Sequence, residues 1–481
     1  MSSSSSTAAT APATQSPAEP QHAMATIALA ILGIFVTYVP VAAVSVALAT
    51  IGRETGASTA GLQWVSDAYV IPMAAAVLSA GVFGDIYGRR RLYLIGMALT
   101  IAGGGVAGLL AAVLEDHELA LLWTGQAIAG VGAGLLIPTT LALIAQAVPN
   151  PRERGKFIGL WSTGLMLGLA LGPVISGLVI KVGSWHWIFA PTVALAIVAA
   201  LCTLRLMPES APIEGRRLDW PGQITATIAI AASIFGIIEG GSEGWGSWQA
   251  IGGLALGALA LLAFLVAEKR SASPLLDLKL FASPSFSAAG FAGLIALFSI
   301  VGCMFLLSLF FGYAQQLEPL EIAGRLLFVT AVGAATGPLA ARLMHKVKAM
   351  HVLAGGLVLS AIGLFALTSI DTETGVWALG WRLVIFGLGN TMTMTAVSTA
   401  AINSVPLRFA GMAAAGNTVL RQYGGALGPA ILGVVFSHQV AGGATVAEAF
   451  SAAITTNVAL LVLAALVCVV AARREAHPLH G

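Results

Sequence analysis

Apolar runs of about 20 residues, the length needed to cross a hydrocarbon core of roughly 30 Å, follow one another along nearly the whole chain. Short polar stretches rich in Gly, Pro and charge separate them. The pattern predicts helices over 24–49, 61–84, 91–113, 118–146, 155–181 and 185–207, then 221–240 and 248–268. It continues with 286–314, 321–343, 349–370, 376–402, 409–438 and 452–472. The expected fold class is an all-α integral membrane protein of fourteen transmembrane helices.

The connections between the runs test that count, because positive charge concentrates on the cytoplasmic side of a membrane. Every second connection is basic: Arg89, Arg90 and Arg91; Arg152, Arg154 and Lys156; Arg205, Arg216 and Arg217; Lys269, Arg270 and Lys279; Arg342, Lys346 and Lys348; Arg408; Arg473 and Arg474. These are eighteen of the 23 Lys and Arg residues. Both termini are therefore expected in the cytoplasm of a multi-pass cell-membrane protein. Trp64, Trp185, Trp187, Trp245, Trp248, Trp377 and Trp381 fall near the opposite ends, as an aromatic belt does.

Composition agrees, with 58% hydrophobic and 9% charged residues. A net charge of +2 does not suggest a nucleic-acid partner. Cys202, Cys303 and Cys468 lie singly in apolar runs without metal-ligand spacing. No metal, cofactor, nucleotide loop or nucleophile triad is indicated, so no enzymatic activity is expected. The partners expected are the lipid bilayer, a small-molecule substrate and protons, for a monomer.

A short motif occurs twice. Leu171-Gly172-Pro173 is followed by Gly177, and Leu427-Gly428-Pro429 by Gly433 at the same distance from the proline. The organisation expected is a disordered cytoplasmic tail (1–23), a first six-helix half (24–207), linkers with two inserted helices (208–285), a second six-helix half (286–472) and a cytoplasmic tail (473–481).

The loop after the second run carries Gly81, Asp85, Gly88, Arg89, Arg90 and Arg91. Gly81 suits close helix approach and Gly88 a tight turn. Asp85 suits a cap or salt bridge at a helix end. In the fifth run Gly164, Gly168 and Gly172 are spaced by four, which leaves a groove on one helix face; Pro173 and Gly177 follow. Packing alone also accounts for this pattern.

The loop resembles the G-x-x-x-D-x-x-G-R-[KR]-[KR] motif of the major facilitator superfamily, and the fifth run resembles the G-x-x-x-G-P-x-x-x-G pattern of that superfamily's exporters. The first resemblance implies a cytoplasmic charge latch between the halves; the second implies antiport. The second-half counterpart of the loop, 338–351, is degenerate, with His345 and Lys348. Trp64-Val-Ser-Asp67-Ala-Tyr69, Ser184-Trp185-His186-Trp187, Leu218-Asp219-Trp220-Pro221-Gly222, Ile238-Glu239-Gly240, Pro274-Leu275-Leu276-Asp277-Leu278 and Arg421-Gln422-Tyr423-Gly424-Gly425 resemble the fourteen-helix drug:proton antiporter branch.

Ionisable groups inside spans are costly and mark candidate functional sites. Asp67 lies roughly 9 Å into the second span. It is a candidate for proton coupling, or an interfacial carboxylate bonded to Ser66 or Trp64. Glu239 is a second coupling candidate or, beside Glu243, a solvated loop edge. Arg421, near mid-depth with Asn417 one turn earlier, pairs with an anionic group or serves as a structural cation. With Trp64, Tyr69 and Gln126 these two form the candidate substrate cavity. The chain departs from the family where members carry Arg at the place of Gln126, Gln at Ala129 and Asp at Pro40. These losses weaken a cationic substrate and favour a neutral or anionic one. The expected function is proton-coupled export of a small, partly hydrophobic molecule. The alternatives are a facilitator, an importer of a metabolite, or a membrane sensor without transport.

Overall fold

The computed structural model describes residues 20–148, 150–209, 219–271, 274–344, 346–405 and 410–476. Arg216, Arg217, Leu218, His345 and Arg408, residues 1–19 of the expected N-terminal tail and 477–481 of the C-terminal one lie outside them.

Among the described residues the secondary structure is helical. The first half comprises α1 (Pro20–Thr55), α2 (Thr59–Tyr87), α3 (Arg89–Gly104), α4 (Glu118–Ala147), α5 (Pro151–Val182) and α6 (Ala190–Leu206). The inserted pair is α7 (Trp220–Ser242) and α8 (Trp248–Arg270). The second half comprises α9 (Pro284–Leu309), α10 (Pro319–Leu343), α11 (Ala349–Leu367), α12 (Val376–Asn403), α13 (Ala410–Ala441) and α14 (Val446–Ala476).

Twelve of these helices are long and apolar enough to cross a membrane, or thirteen when α2, bent by 56° between Val77 and Ser79, is taken as one span. The remaining helix, α10, stands at the tenth predicted position. Helix α1 begins at Pro20, inside the segment expected as tail, and runs past its predicted end.

Local chemistry explains where the helices start and stop. Ser58, Asp219, Ser247 and Ser283 cap α2, α7, α8 and α9 by accepting a backbone N–H three residues on. Gly88, at φ 95°, separates α2 from α3 in a conformation open to glycine.

Glycines set the packing. A Cβ on Gly164, Gly168 or Gly172 of α5 would lie 3.1, 2.9 and 2.7 Å from the carbonyl oxygens of Ile31, Phe35 and Val39 on α1. Three glycines four residues apart thus meet three carbonyls four residues apart, so the two backbones nearly touch. The second half repeats the arrangement: Gly424 and Gly428 of α13 rest on the carbonyls of Leu294 and Phe298 of α9. Each motif then crosses to the other half. Gly177 of α5 packs on Pro319 and Leu320 of α10, and Gly433 of α13 on Gln63 of α2. Equivalent helices in the two halves therefore make equivalent contacts.

Helix α7 bridges the halves. Gln223 donates to the Ala75 carbonyl of α2 at 2.6 Å and accepts from Ser79 Oγ at 2.5 Å, spanning the bend. Ser233 shares a hydrogen bond of 2.9 Å with the Tyr423 hydroxyl of α13. Helix α8 packs on α7 and turns Leu256, Leu259, Leu261 and Leu262 outward.

The tryptophan expectation needs two corrections. Trp187, Trp245, Trp248, Trp377 and Trp381 are exposed, as a membrane-interface position requires. Trp185 is fully buried and stacks on His186 at 3.9 Å, while Trp64 is half-buried beside Phe235. Both side chains fill inter-helix space. Cys303 and Cys468 are buried and Cys202 is half-buried, and all three are free thiols.

Candidate functional site

A cavity lies between the halves. From the first half α1 supplies Tyr38, Pro40 and Ser45, α2 supplies Ser66, Tyr69, Val70 and Met73, α4 supplies Gln126 and α5 supplies Leu169. From the second half come Leu297, Val301, Met304 and Phe305 of α9, Thr330 of α10, and Gln422 and Gly425 of α13. Among the described residues no Asp, Glu, Lys or Arg lines it. Its polar groups are hydroxyls and carboxamides on a largely apolar wall, the composition of a site for a small, mostly apolar molecule.

The polar wall is held in place by backbone acceptors. Tyr69 donates through its hydroxyl to the Thr37 carbonyl at 2.6 Å, linking α2 to α1. Gln126 donates to the Val65 carbonyl at 3.2 Å, linking α4 to α2. That close approach is possible because Gly130 and Gly134 place α4 against the Tyr69 and Met73 carbonyls. Gln422 is 1% exposed and both its amide atoms are without a hydrogen-bond partner among the described residues.

Of the five residues expected in the cavity, Tyr69 and Gln126 line it, and Trp64, Asn417 and Arg421 do not. Asn417 and Arg421 are drawn against α9, where a Cβ on Gly293 would lie 3.1 Å from Asn417 Oδ1 and 2.9 Å from Arg421 Cγ. Arg421 forms no ion pair among the described residues. Tyr38, Ser45 and Thr330 were not singled out from the sequence, and Ser66 and Gln422 were named there only as a neighbour of Asp67 and as part of a motif, not as cavity residues. Hydroxyls and amides are common in every helix, and only folding selects those facing one space.

Asp67 is fully buried, and neither carboxylate oxygen has a hydrogen-bond partner among the described residues. The bonds to Ser66 or Trp64 expected of the interfacial alternative are not made. The group lies beside the cavity rather than on its wall, between the lining residues Ser66 and Tyr69. Glu239 is half-buried near the end of α7 and does not join it.

At the basic end, Arg89 bonds Asp85 at 3.3 Å and donates to the Ala142 carbonyl of α4 at 3.0 Å. Arg90 donates to the Leu204 carbonyl at 2.7 Å, and Arg91 approaches Glu209 at 3.6 Å. These bonds fasten α2, α3, α4 and the end of α6 to one another within the first half. Gly81 is exposed and a Cβ there would meet nothing within 4 Å, so it makes no close helix approach. Gly88 does serve as the turn residue. Among the described residues no three His, Cys, Asp or Glu side chains converge as metal ligands would.

Comparison with known proteins follows this geometry. A family model described as Major Facilitator Superfamily matches residues 30–429. The multidrug resistance protein Stp of Mycobacterium tuberculosis (strain CDC 1551 / Oshkosh) is 31% identical over 394 residues, 82% of this chain and 72% of that protein. The drug efflux pump JefA of the same strain is 33% identical over 83% of this chain and 78% of its own. The methylenomycin A resistance protein of Bacillus subtilis (strain 168) is 28% identical over 82% and 84%. Among solved structures, the peptide transporter POT in complex with sulfate aligns with a TM-score of 0.69 at 15% identity, covering 95% of both chains. The xylose transporter XylE from E. coli, in a partially occluded inward-open conformation, aligns with a TM-score of 0.62 at 16% identity, covering 92% of this chain and 98% of that one.

Proposed function

Because the chain belongs to the Major Facilitator Superfamily, a family of non-enzymatic transporters, we propose that it exports small, partly hydrophobic molecules by alternating access in exchange for protons. The observation that carries this reading is the cavity walled by both halves, with a fully buried carboxyl group, Asp67, beside it. The printed names of the relatives, multidrug resistance and drug efflux proteins, support the outward direction.

In this reading all fourteen helices cross the membrane, both termini are cytoplasmic, and the basic end carrying Asp85 and Arg89 faces the cytoplasm. The substrate sits between Tyr38, Tyr69, Gln126 and Gln422 and is uncharged or anionic, since no carboxylate lines the wall to pair with a cation. Asp67 has no partner for a negative charge while the site is dry, because an unpaired buried charge is costly. Ionisation then requires water to reach it, so proton exchange follows the opening of the cavity. The glycine seams at α1–α5 and α9–α13 keep each half rigid. The crossings at α2–α13 and α5–α10 are the surfaces that rock.

The test uses inverted vesicles acidified inside, with uptake of a fluorescent neutral compound as the readout. Uptake driven by the gradient, and loss of its pH dependence in Asp67→Asn, are expected. Uptake that persists unchanged in that variant after the gradient is collapsed would overturn the coupling.

A second reading, transport without proton coupling, is favoured by one observation: Pro40 stands on the cavity wall where the family carries Asp. The same experiment separates the two, since a facilitator equilibrates its substrate and gains nothing from a gradient.

A further inference from the structure

Two acidic side chains meet at the base of the inserted hairpin, outside the cavity and away from Asp67. Asp219 caps α7, its Oδ1 accepting the Gly222 N–H at 3.0 Å. Glu268, in the last turn of α8, accepts the Leu276 N–H at Oε2, also at 3.0 Å. Asp219 is 7% exposed and Glu268 4%. The other oxygen of each, Asp219 Oδ2 and Glu268 Oε1, is buried without a hydrogen-bond partner among the described residues.

Those two oxygens point to one place. A Cβ on Gly222 would lie 3.1 Å from Asp219 Oδ2 and 2.7 Å from Glu268 Oε1. The absence of a side chain at Gly222 is therefore what lets the carboxyl groups converge.

The surroundings offer no counter-charge among the described residues. The second charged group acting on Glu268, after Asp219, is another carboxylate, Asp277. Lys269, Arg270 and Lys279 on the same elements are exposed, and no ion pair joins them to the two acids. The neighbouring helices present uncharged groups: Phe83 of α2 lies beside Trp220, and Met412 of α13 receives the Asp277 N–H on its sulfur at 3.0 Å.

Two ionised carboxylates sharing a buried site repel each other, and each would leave an oxygen unsatisfied. We propose that Asp219 and Glu268 form a proton-binding site in which a single proton is shared between Asp219 Oδ2 and Glu268 Oε1. One O–H bond forms as the proton arrives from water at the basic end, and the same bond breaks when it returns. The resulting O–H···O⁻ hydrogen bond is of the strong, charge-assisted kind, and the two groups titrate as a pair.

The site reaches further than the hairpin. Leu276, held by Glu268, sets its side chain against Gly416 of α13, where a Cβ would lie 2.4 Å from Leu276 Cδ1. Bound proton therefore fastens α7 to α8, and Glu268 ties that pair through Leu276 to the linker and to the helix that carries Gln422.

Infrared difference spectroscopy of the full-length protein in lipid nanodiscs, titrated from acid to alkaline pH, reads the site as a carboxylic-acid C=O band. We expect a titrating band that survives in Asp67→Asn and disappears in both Asp219→Asn and Glu268→Gln. The melting temperature of the wild type should fall as pH rises through that titration, and the fall should flatten in Glu268→Gln. Should these variants fail to fold, Gly222→Ala keeps both acids but displaces Glu268 Oε1, and must change the pH at which the band titrates. A band that persists in both acid variants would overturn the proposal. So would a wild type that lacks the band while K⁺ or Mg²⁺ alone raises its melting temperature, which would assign the site to a metal cation.

Discussion

Replacing Gly130 by alanine adds one methyl group at the tightest approach of α4 to α2. The new Cβ would stand 2.2 Å from the Tyr69 carbonyl oxygen and 3.1 Å from Tyr69 Cα, whereas Cβ contacts under 3.0 Å do not persist. The obstacle is backbone inside a helix, so the two helices must part by roughly 0.8 Å, the difference between 2.2 Å and that limit. Overpacking of this kind costs about 1–3 kcal/mol, and stretching the Gln126 to Val65 hydrogen bond, already 3.2 Å long, adds about 1 kcal/mol. Alanine returns up to about 1 kcal/mol through its higher helix propensity. The net expectation is a loss of about 1–3 kcal/mol, with Tyr69 displaced from the cavity wall.

Gly81→Ala is the matched control, because the same methyl group there meets nothing within 4 Å. Thermal unfolding followed by fluorescence in one detergent should place Gly130→Ala below wild type and Gly81→Ala at or above it. Substrate retention in vesicles should fall only in the first. If Gly130→Ala melts no lower than Gly81→Ala, the claim that glycine sets the α2–α4 distance is refuted.

Other outcomes follow from the same geometry. Gly168→Val should open the α1–α5 seam, since its Cβ starts 2.9 Å from the Phe35 carbonyl; transport is expected to collapse while membrane expression, checked by immunoblot, remains measurable. Gln223→Leu leaves the Ala75 carbonyl and Ser79 hydroxyl of α2 without their side-chain partner and should cost about 1–3 kcal/mol, read as a lower melting temperature. Tyr423→Phe removes the Ser233 bond between α13 and α7 and should cost about 0.5–1.5 kcal/mol, with the fold intact by circular dichroism. Asp85→Asn removes the acidic partner of Arg89 at the α2–α3 junction; a large drop in transport with an unchanged melting temperature would tie Asp85 to the conformational cycle.

Much of this protein was legible in one dimension. Helix positions follow from apolar runs because a bilayer core forces every backbone polar group into helical hydrogen bonds, so length and hydropathy mark an element without knowledge of its neighbours. The internal repeat was readable from Leu171-Gly172-Pro173 and Leu427-Gly428-Pro429, because glycine and proline have backbone consequences that hold in any helix. Gly88 as a turn residue was readable for the same reason. Asp67 stood out as a carboxylate in an apolar run, and it is fully buried.

Which groups share a space was decided only by tertiary structure. Arg421 and Asn417 were expected to face the substrate, but α13 packs them against Gly293 of α9 and turns the next residue, Gln422, to the cavity; one residue is about 100° of helix rotation, and no pattern along the chain sets that phase. Gly81 belongs to a motif, yet faces open space. Asp219 and Glu268 are 49 positions apart in the chain and come together only because α7 and α8 fold back on each other over a glycine. The chain alone determines which segments enter the membrane, since that depends on each segment's transfer from water to lipid. The pairing of helices depends on where small residues let backbones touch, and that sum over all neighbours exists only in the folded bundle.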